Sequence, residues 1–437
     1  MDKIIPIQLE RTHLFSADIN VSTMVEIDRT IEKENVEEAI DAVLQRHPLL
    51  SSVIRRDDDG NAFYHLNCSK PFHIDFHKDA EISWEDWFMQ QIEKTFDFEN
   101  GPLLRLLVLF KEKSTVFVFV GHHLLGDGLS FLYLSRDFLM ALERNLAKEV
   151  KFPLLLQKSL LPSYAKLRFL PALLAKKLNK DFQSSQKRYS LEEFKILQKS
   201  VFRSRQPSLA GFSFTKEETA RLIAQCHKAE VTVNEALTTA FLYARKKAGN
   251  PSDYLGISCN IRNEIKVDPE DSMGNFVSGI SISVQYDKTI DFWENAKRLQ
   301  NILSPKLKSP RQRLLAMSFL AALNHDLIDS VNFVSVEKTP HKSTKILCDR
   351  LCGNPYDRGL GISNLGKHYL AFKTFQITDF LFLPPLFGQN DFIVGAITVN
   401  DHLFLCLRYI GSELSRSMVD KQYLDAKEIL LSTASKN

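Results

Sequence analysis

The stretch VFVFVGHHLLGDGLS, residues 116–130, decides how the rest of the chain is read. Val116 to Val120 is an unbroken Val/Phe run, the pattern of a strand buried on both faces. From Leu129 to Leu146, apolar residues recur at 131, 134, 138 and 142 and again at 132, 139 and 146, which is helical spacing. His122, His123, Gly126, Asp127 and Gly128 therefore occupy a short loop between a buried strand and a helix, where a rigid scaffold can present reactive groups. A neutral imidazole at such a place can take a proton from an alcohol, amine or thiol near neutral pH. The two glycines permit backbone angles closed to other residues. The same residues also have a plain structural reading, in which His122 packs the loop and Asp127 caps the helix, with Ser130 at its third position.

The run His122-His123-Leu124-Leu125-Gly126-Asp127-Gly128 matches HHxxxDG, and on it the chain resembles the condensation-domain-like acyltransferases. That superfamily includes the condensation domains of nonribosomal peptide synthetases, alcohol acetyltransferases, plant acyltransferases and mycobacterial polyketide-lipid acyltransferases, and is related in fold to chloramphenicol acetyltransferase. Other stretches resemble the family in family order: Arg46-His47-Pro48-Leu49-Leu50, Phe96-Asp97-Phe98 with Gly101-Pro102-Leu103-Leu104-Arg105, Thr232-Val233-Asn234, Asn260-Ile261-Arg262, Gly274-Asn275-Phe276 and Ser363-Asn364-Leu365-Gly366. The likeness runs from about residue 10 to the C-terminal helix. One departure stands out. The plant branch's DFGWG motif is absent, and Phe387-Gly388-Gln389-Asn390 is at best a remote trace, which argues for the bacterial or fungal-like branches.

The resemblance implies an α/β fold of two chloramphenicol-acetyltransferase-like lobes, each a largely antiparallel mixed sheet covered by helices, with one active site in a tunnel between them. It implies His123 as the general base that deprotonates an acceptor hydroxyl or amine during attack on a thioester, with no covalent enzyme intermediate. Asp127 is expected to point away from substrate and pair with an arginine of the second half, Arg262 being the candidate. Gly128 would let the loop turn close to the backbone, His122 would orient or pack the loop, and Ser363 and Asn364 are candidates for contacts near the tunnel. The donor would be a thioester of coenzyme A or of a phosphopantetheine carrier, a co-substrate rather than a resident cofactor. An acyl or peptidyl carrier protein would act in trans. Two alternatives stay open: a trans-acting enzyme condensing two carrier-bound groups, and a non-catalytic protein that grips a carrier or lipid.

Length and composition agree with this. A chain of 437 residues suits two domains or one bilobal unit, and 44% apolar with 25% charged residues is ordinary for a globular protein. The net charge of +3 gives no argument for nucleic acid. The 31 phenylalanines fit either large aromatic cores or an apolar acyl tunnel. Cys68, Cys226, Cys259, Cys348, Cys352 and Cys406 are scattered without CxxC spacing, so no metal site is expected and reduced thiols in a cytoplasmic protein are the natural reading. No apolar run approaches transmembrane length, and the start, MDKIIPIQLERT, lacks a signal-peptide core. A site completed by two lobes of one chain leads us to expect a monomer.

In chain order the expectations are as follows. Residues 1–150 form a first lobe carrying the motif, with short strands before a helix opened by Asn35 and ended by His47-Pro48. A strand follows over Leu49 to Arg55, then the turn Asp57 to Asn61, a helix from Trp84 to Phe96, and a hairpin of Leu103–Phe110 with Thr115–Val120. Residues 151–208 are a basic crossover, read as one or two linker helices. Leu160 to Leu178 has the leucine-plus-lysine composition of an interfacial helix, giving a second reading of 158–180 as a peripheral membrane contact that internal prolines would weaken. Residues 209–437 form the second lobe, with Thr215 capping a helix, further helices over 231–247, 292–302, 314–327 and 415–431, and strands over 254–261, 277–285, 374–382, 392–399 and 403–409.

Overall fold

The computed structural model describes residues 3–252, 254–351, 359–386 and 390–432. In chain order its strands are β1 (Ile4–Pro6), β2 (Asn20–Ile27), β3 (Val53–Arg56), β4 (Ala62–His65), β5 (Ile74–Lys78), β6 (Leu104–Phe110), β7 (Thr115–His122), β8 (Pro207–Ser213), β9 (Tyr254–Asn260), β10 (Val277–Ile282), β11 (Gly359–His368), β12 (Ile377–Leu383), β13 (Asn390–Val399) and β14 (His402–Ile410).

The Val/Phe run becomes β7, and every residue of it is buried. It pairs antiparallel with β6 on one side and β2 on the other, in a five-stranded sheet of order β12-β2-β7-β6-β5. A six-stranded sheet of order β10-β9-β11-β13-β14-β8 is the centre of the second half. Both sheets are mixed, with parallel pairing, among the described residues, only at β5–β6, β9–β11 and β11–β13. Each has its own core. One gathers Val25, Phe117, Phe119, Phe131 and Phe138, and the other Leu237, Phe241, Leu255, Phe392 and Leu407. Phe15, Phe88, Phe117, Phe119, Phe131, Phe138, Phe214 and Phe241 rank among the largest fully buried side chains, so much of the aromatic content is core. The two-lobed α/β architecture is the expected one. β12 couples the halves: it lies within the second half in sequence but pairs with β2 at the edge of the first sheet.

Several elements differ from the sequence reading. The first helix spans Lys33–Arg46 with Glu32, in extended conformation, at its N-cap. Asn35 is thus inside the first turn rather than capping it. Pro48 holds Pro48–Ser51 in a 3-10 turn, so the strand expected from Leu49 starts at Val53. The helix after the motif ends at Leu142, and Arg144 takes a left-handed φ of 57°. The segment 314–327 is broken into helices Leu315–Leu320 and His325–Phe333. β11 was not foreseen as a strand. The crossover contains the helices Phe169–Gln183 and Leu191–Arg205. Pro171 falls in the first turn of the former, where its missing N–H leaves no intrahelical bond unmade. Thr215 caps Lys216–Lys228 in a full capping box with Glu218. Cys352 and Phe387-Gly388-Gln389, singled out above, lie outside the described residues.

Candidate active site

His122 is the last residue of β7, and His123–Leu125 make a single 3-10 turn that delivers the chain to Asp127. Asp127 caps the helix Gly128–Leu142, its Oδ1 accepting the Ser130 N–H at 2.9 Å. Gly126 takes φ +155°, and a Cβ there would lie 2.5 Å from that of Ser130. Gly128 serves by its size rather than its backbone angle: a Cβ would come within 2.7 Å of Leu365 Cδ2 and of the Phe382 ring.

Asp127 does more than cap. The same Oδ1 accepts from Arg262 Nη2 at 3.1 Å, and Oδ2 accepts the Phe276 N–H at 2.9 Å. Arg262 also donates to Ser130 Oγ at 2.9 Å and to the carbonyls of Ser272 and Glu270 at 3.3 and 3.4 Å. Its guanidinium lies 4.5 Å from the Phe276 ring centroid and 5.4 Å from that of Tyr133. The two charged side chains are 5% and 6% exposed. The structural and functional readings of Asp127 thus describe one residue, because helix cap and inter-half ion pair share a carboxylate. The second half grips the loop further through its backbone. Asp127 N–H donates to the Gly274 carbonyl at 3.2 Å, Ser130 Oγ to the same carbonyl at 2.7 Å, and the Asn275 amide to the His123 carbonyl.

Several of the quoted segments meet at this loop or at the helix behind it although they are far apart in sequence. Phe96 and Phe98 meet the His122 ring at right angles, at 6.0 and 5.1 Å between centroids. Arg46 and His47 hold Asp137 on the back of the motif helix at 2.8 and 2.9 Å. Burial opposes ionisation of Asp137, but His47 and Arg136 outweigh it and draw the carboxyl down to about 2. Ser363 and Asn364 lie on β11, whose Leu365 abuts Gly128; Asn364 Oδ1 accepts the Gly366 N–H at 2.9 Å. Thr232 caps the helix Val233–Lys247 by position in the second half.

Some residues at the site were missed by sequence reasoning. The His13 ring stacks on that of His123, with centroids 4.4 Å apart and planes at 13°. Glu10, on the same 3-10 segment Leu9–His13, is buried with Oε2 2.8 Å from Tyr64 Oη, which in turn lies 2.9 Å from the Leu124 carbonyl. Burial raises the Glu10 carboxyl to about 7. The available signal was density: Glu10, Arg11 and His13 crowd into a segment otherwise flanked by apolar residues.

Burial is also the largest cause that pushes His123 down to about 4 and His122 to about 3, and it holds His13 well below its ordinary value. At neutral pH the three rings are therefore uncharged. This has a consequence for stability. The unfolded histidines titrate near 6.5 and bind protons there, whereas the folded ones do not. The stabilisation is present above about pH 6.5 and is lost as pH falls toward the folded values. Glu10 runs the other way, its contribution being present below 4.5 and lost as pH rises through about 7. We expect His122→Asn, which keeps an acceptor for the Leu124 N–H, to flatten the fall in thermal midpoint between pH 7 and 5. Parallel curves for the variant and wild type would remove His122 from this account.

A model of the family described as Condensation domain matches residues 6–326. The chain belongs to the condensation domain family. Among relatives, surfactin synthase subunit 1 of Bacillus subtilis is 26% identical over 249 residues, covering 52% of this chain but 7% of that protein. The chain therefore spans a small fraction of the synthetases it matches. Among solved structures, the epimerization domain from the third module of tyrocidine synthetase B superposes with TM-score 0.62 at 16% identity, over 99% of this chain and 96% of that one. The trichothecene 15-O-acetyltransferase of Fusarium sporotrichioides gives TM-score 0.66 at 11% identity, over 98% and 95%. These likenesses place the condensation-domain fold across essentially the whole chain. Acyl transfer and condensation are the general chemistry of this family, and membership supports that class for the chain.

Proposed function

We propose that this condensation domain moves an acyl group from a thioester on a phosphopantetheine arm to a hydroxyl or amine acceptor, with His123 as general base. The observation that carries the reading is a neutral imidazole held at the junction of the two halves, stacked on the His13 ring and with the His123 carbonyl gripped by the Asn275 amide. His123 takes the acceptor's proton as its O or N forms a bond to the carbonyl carbon. The tetrahedral adduct then collapses, the C–S bond breaks, and the imidazolium returns the proton to the departing thiolate. Asp127 and Arg262 keep the loop in place and make no contact with the reacting atoms. A second imidazole face, that of His13, limits the orientations open to His123. Exclusion of water from such a junction favours transfer over hydrolysis.

The test is thiol release from acyl-coenzyme A donors of increasing chain length and from acyl-loaded carrier protein, each with pooled alcohol and amine acceptors. Release that requires an acceptor, with the acylated product found by mass, supports transfer. The active donor arm separates coenzyme A from carrier, and activity confined to an aminoacyl carrier as acceptor would make the reaction condensation of two carrier-bound groups. Binding of donors without turnover in any arm would sink the reading in favour of a non-catalytic gripping protein.

A further inference from the structure

The helix Phe169–Gln183 has two unlike faces. Ala175, Leu178 and Phe182 are buried against a small cluster that includes Leu320, Leu327 and Leu347. On the opposite side, Phe169, Leu170 and Leu173 are 77%, 73% and 53% exposed. Continuing along that same face at helical spacing come Lys176, Lys177 and Lys180, all exposed. Beside the start of the helix runs a cleft of about 300 Å³, lined in part by Lys166, Arg168, Pro171, Arg311 and Leu315. Leu315 is itself 53% exposed, which extends the apolar surface onto the neighbouring helix Leu315–Leu320.

The charge here is one-sided. The chain as a whole is nearly balanced, with 56 basic and 53 acidic residues. Around the helix, Lys166, Arg168, Lys176, Lys177 and Lys180 nevertheless stand against the single carboxylate of Asp181. A face that is both cationic and apolar calls for an occupant that is both anionic and apolar. The apolar side chains stand proud at the helix start instead of lining a groove, so a partner would need a soft surface that closes round them. A bilayer interface has that property. It takes Phe and Leu to the level of the acyl chains while Lys and Arg reach back to phosphate. Pro171 does not oppose this, since it sits in the first turn of a continuous helix.

We propose that this face, formed by Phe169, Leu170 and Leu173 with the surrounding Lys166, Arg168, Lys176 and Lys177, docks the protein on an anionic lipid bilayer. No helix of the described residues is long and apolar enough to cross a membrane, so the contact is peripheral. The proposal does not depend on the reaction assigned to His123.

Co-sedimentation of the full chain with vesicles tests it, using phosphatidylcholine alone and phosphatidylcholine with about 30% phosphatidylglycerol, at physiological salt. Wild type is expected to partition at least about tenfold more strongly onto the anionic vesicles. The triple variant Phe169→Ser/Leu170→Ser/Leu173→Ser and the double variant Lys176→Glu/Lys177→Glu should each lose most of that binding. Their thermal unfolding should match wild type, because the substituted side chains are exposed. Wild type remaining in the supernatant would overturn the proposal. So would a triple-serine variant that binds as wild type, since adsorption would then be charge alone. Neglect of vesicles combined with retention of an acidic helical peptide would also overturn it and give the face to a protein partner.

Discussion

His123→Ala is expected to fold normally and to release thiol from an acyl thioester at least about two orders of magnitude more slowly than wild type. The fold should survive because the backbone of residue 123 does the structural work. Its N–H donates to the Ile19 carbonyl at 3.2 Å, and its own carbonyl accepts from Asn275. What disappears is the ring, and with it the proton acceptor and the stack on His13. A hundredfold loss corresponds to about 3 kcal/mol of barrier, which a positioned general base can supply and a stacking contact between two rings does not. His13→Phe separates the two effects, since it keeps an aromatic face against His123 and removes only a titratable ring. That variant should retain most of the rate. Because burial holds the His123 imidazolium down to about 4, the acid limb of the wild-type rate profile is expected well below the ordinary histidine value of 6.5. A His123→Ala rate within about tenfold of wild type, with an unchanged circular dichroism spectrum, would withdraw His123 from the chemistry.

The parts of the molecule legible in the sequence were those specified by their own side chains. β7 reads directly from Val116 to Val120, and the helix behind it from its apolar spacing. Thr215 with Glu218 announces a helix start that needs nothing from the rest of the chain. β11 was not legible, because Gly359, Gly361 and Gly366 with Ser363, Asn364 and Lys367 interrupt any strand pattern. That strand is specified by its neighbours, β9 and β13, both of which pair with it in parallel. β12 was legible as a strand, but its sheet was not. Pairing of Phe380 with Val25 joins residues more than 350 positions apart, and no local pattern encodes that. At the site, HHxxxDG singled out the loop, and family likeness rather than spacing pointed to Arg262. His13 and Glu10 escaped because a 3-10 segment has no periodicity long enough to show which side faces a partner.

The ion pair between Asp127 and Arg262 should carry the largest stability effect at the site. Asp127→Ala removes three things at once: the cap on the Ser130 N–H, the acceptor for the Phe276 N–H, and the counter-charge of Arg262. A lost cap costs about 1 kcal/mol. A buried cation left without its partner costs about 3–5 kcal/mol, so the charge decides the outcome. Arg262→Ala is expected to cost less. Asp127 then keeps its two backbone N–H donors, and anions hydrogen-bonded in this way tolerate burial. Asp127→Asn should fall between, since it retains a capping oxygen but no charge. The double variant Asp127→Ala/Arg262→Ala should be less destabilised than the sum of the singles, by about 1–3 kcal/mol, because neither charge is then stranded. Denaturant unfolding of the four proteins measures this cycle. Strict additivity, or an Asp127→Ala cost within the roughly 0.5 kcal/mol of an ordinary surface change, would show that the pair does not tie the halves together. The same loop carries His123 four residues upstream, so the cycle also reaches function. If the pair positions the base, the single variants lose rate under conditions where they remain folded, and the double variant does not regain it, since relieving a stranded charge restores stability without restoring the position of the loop.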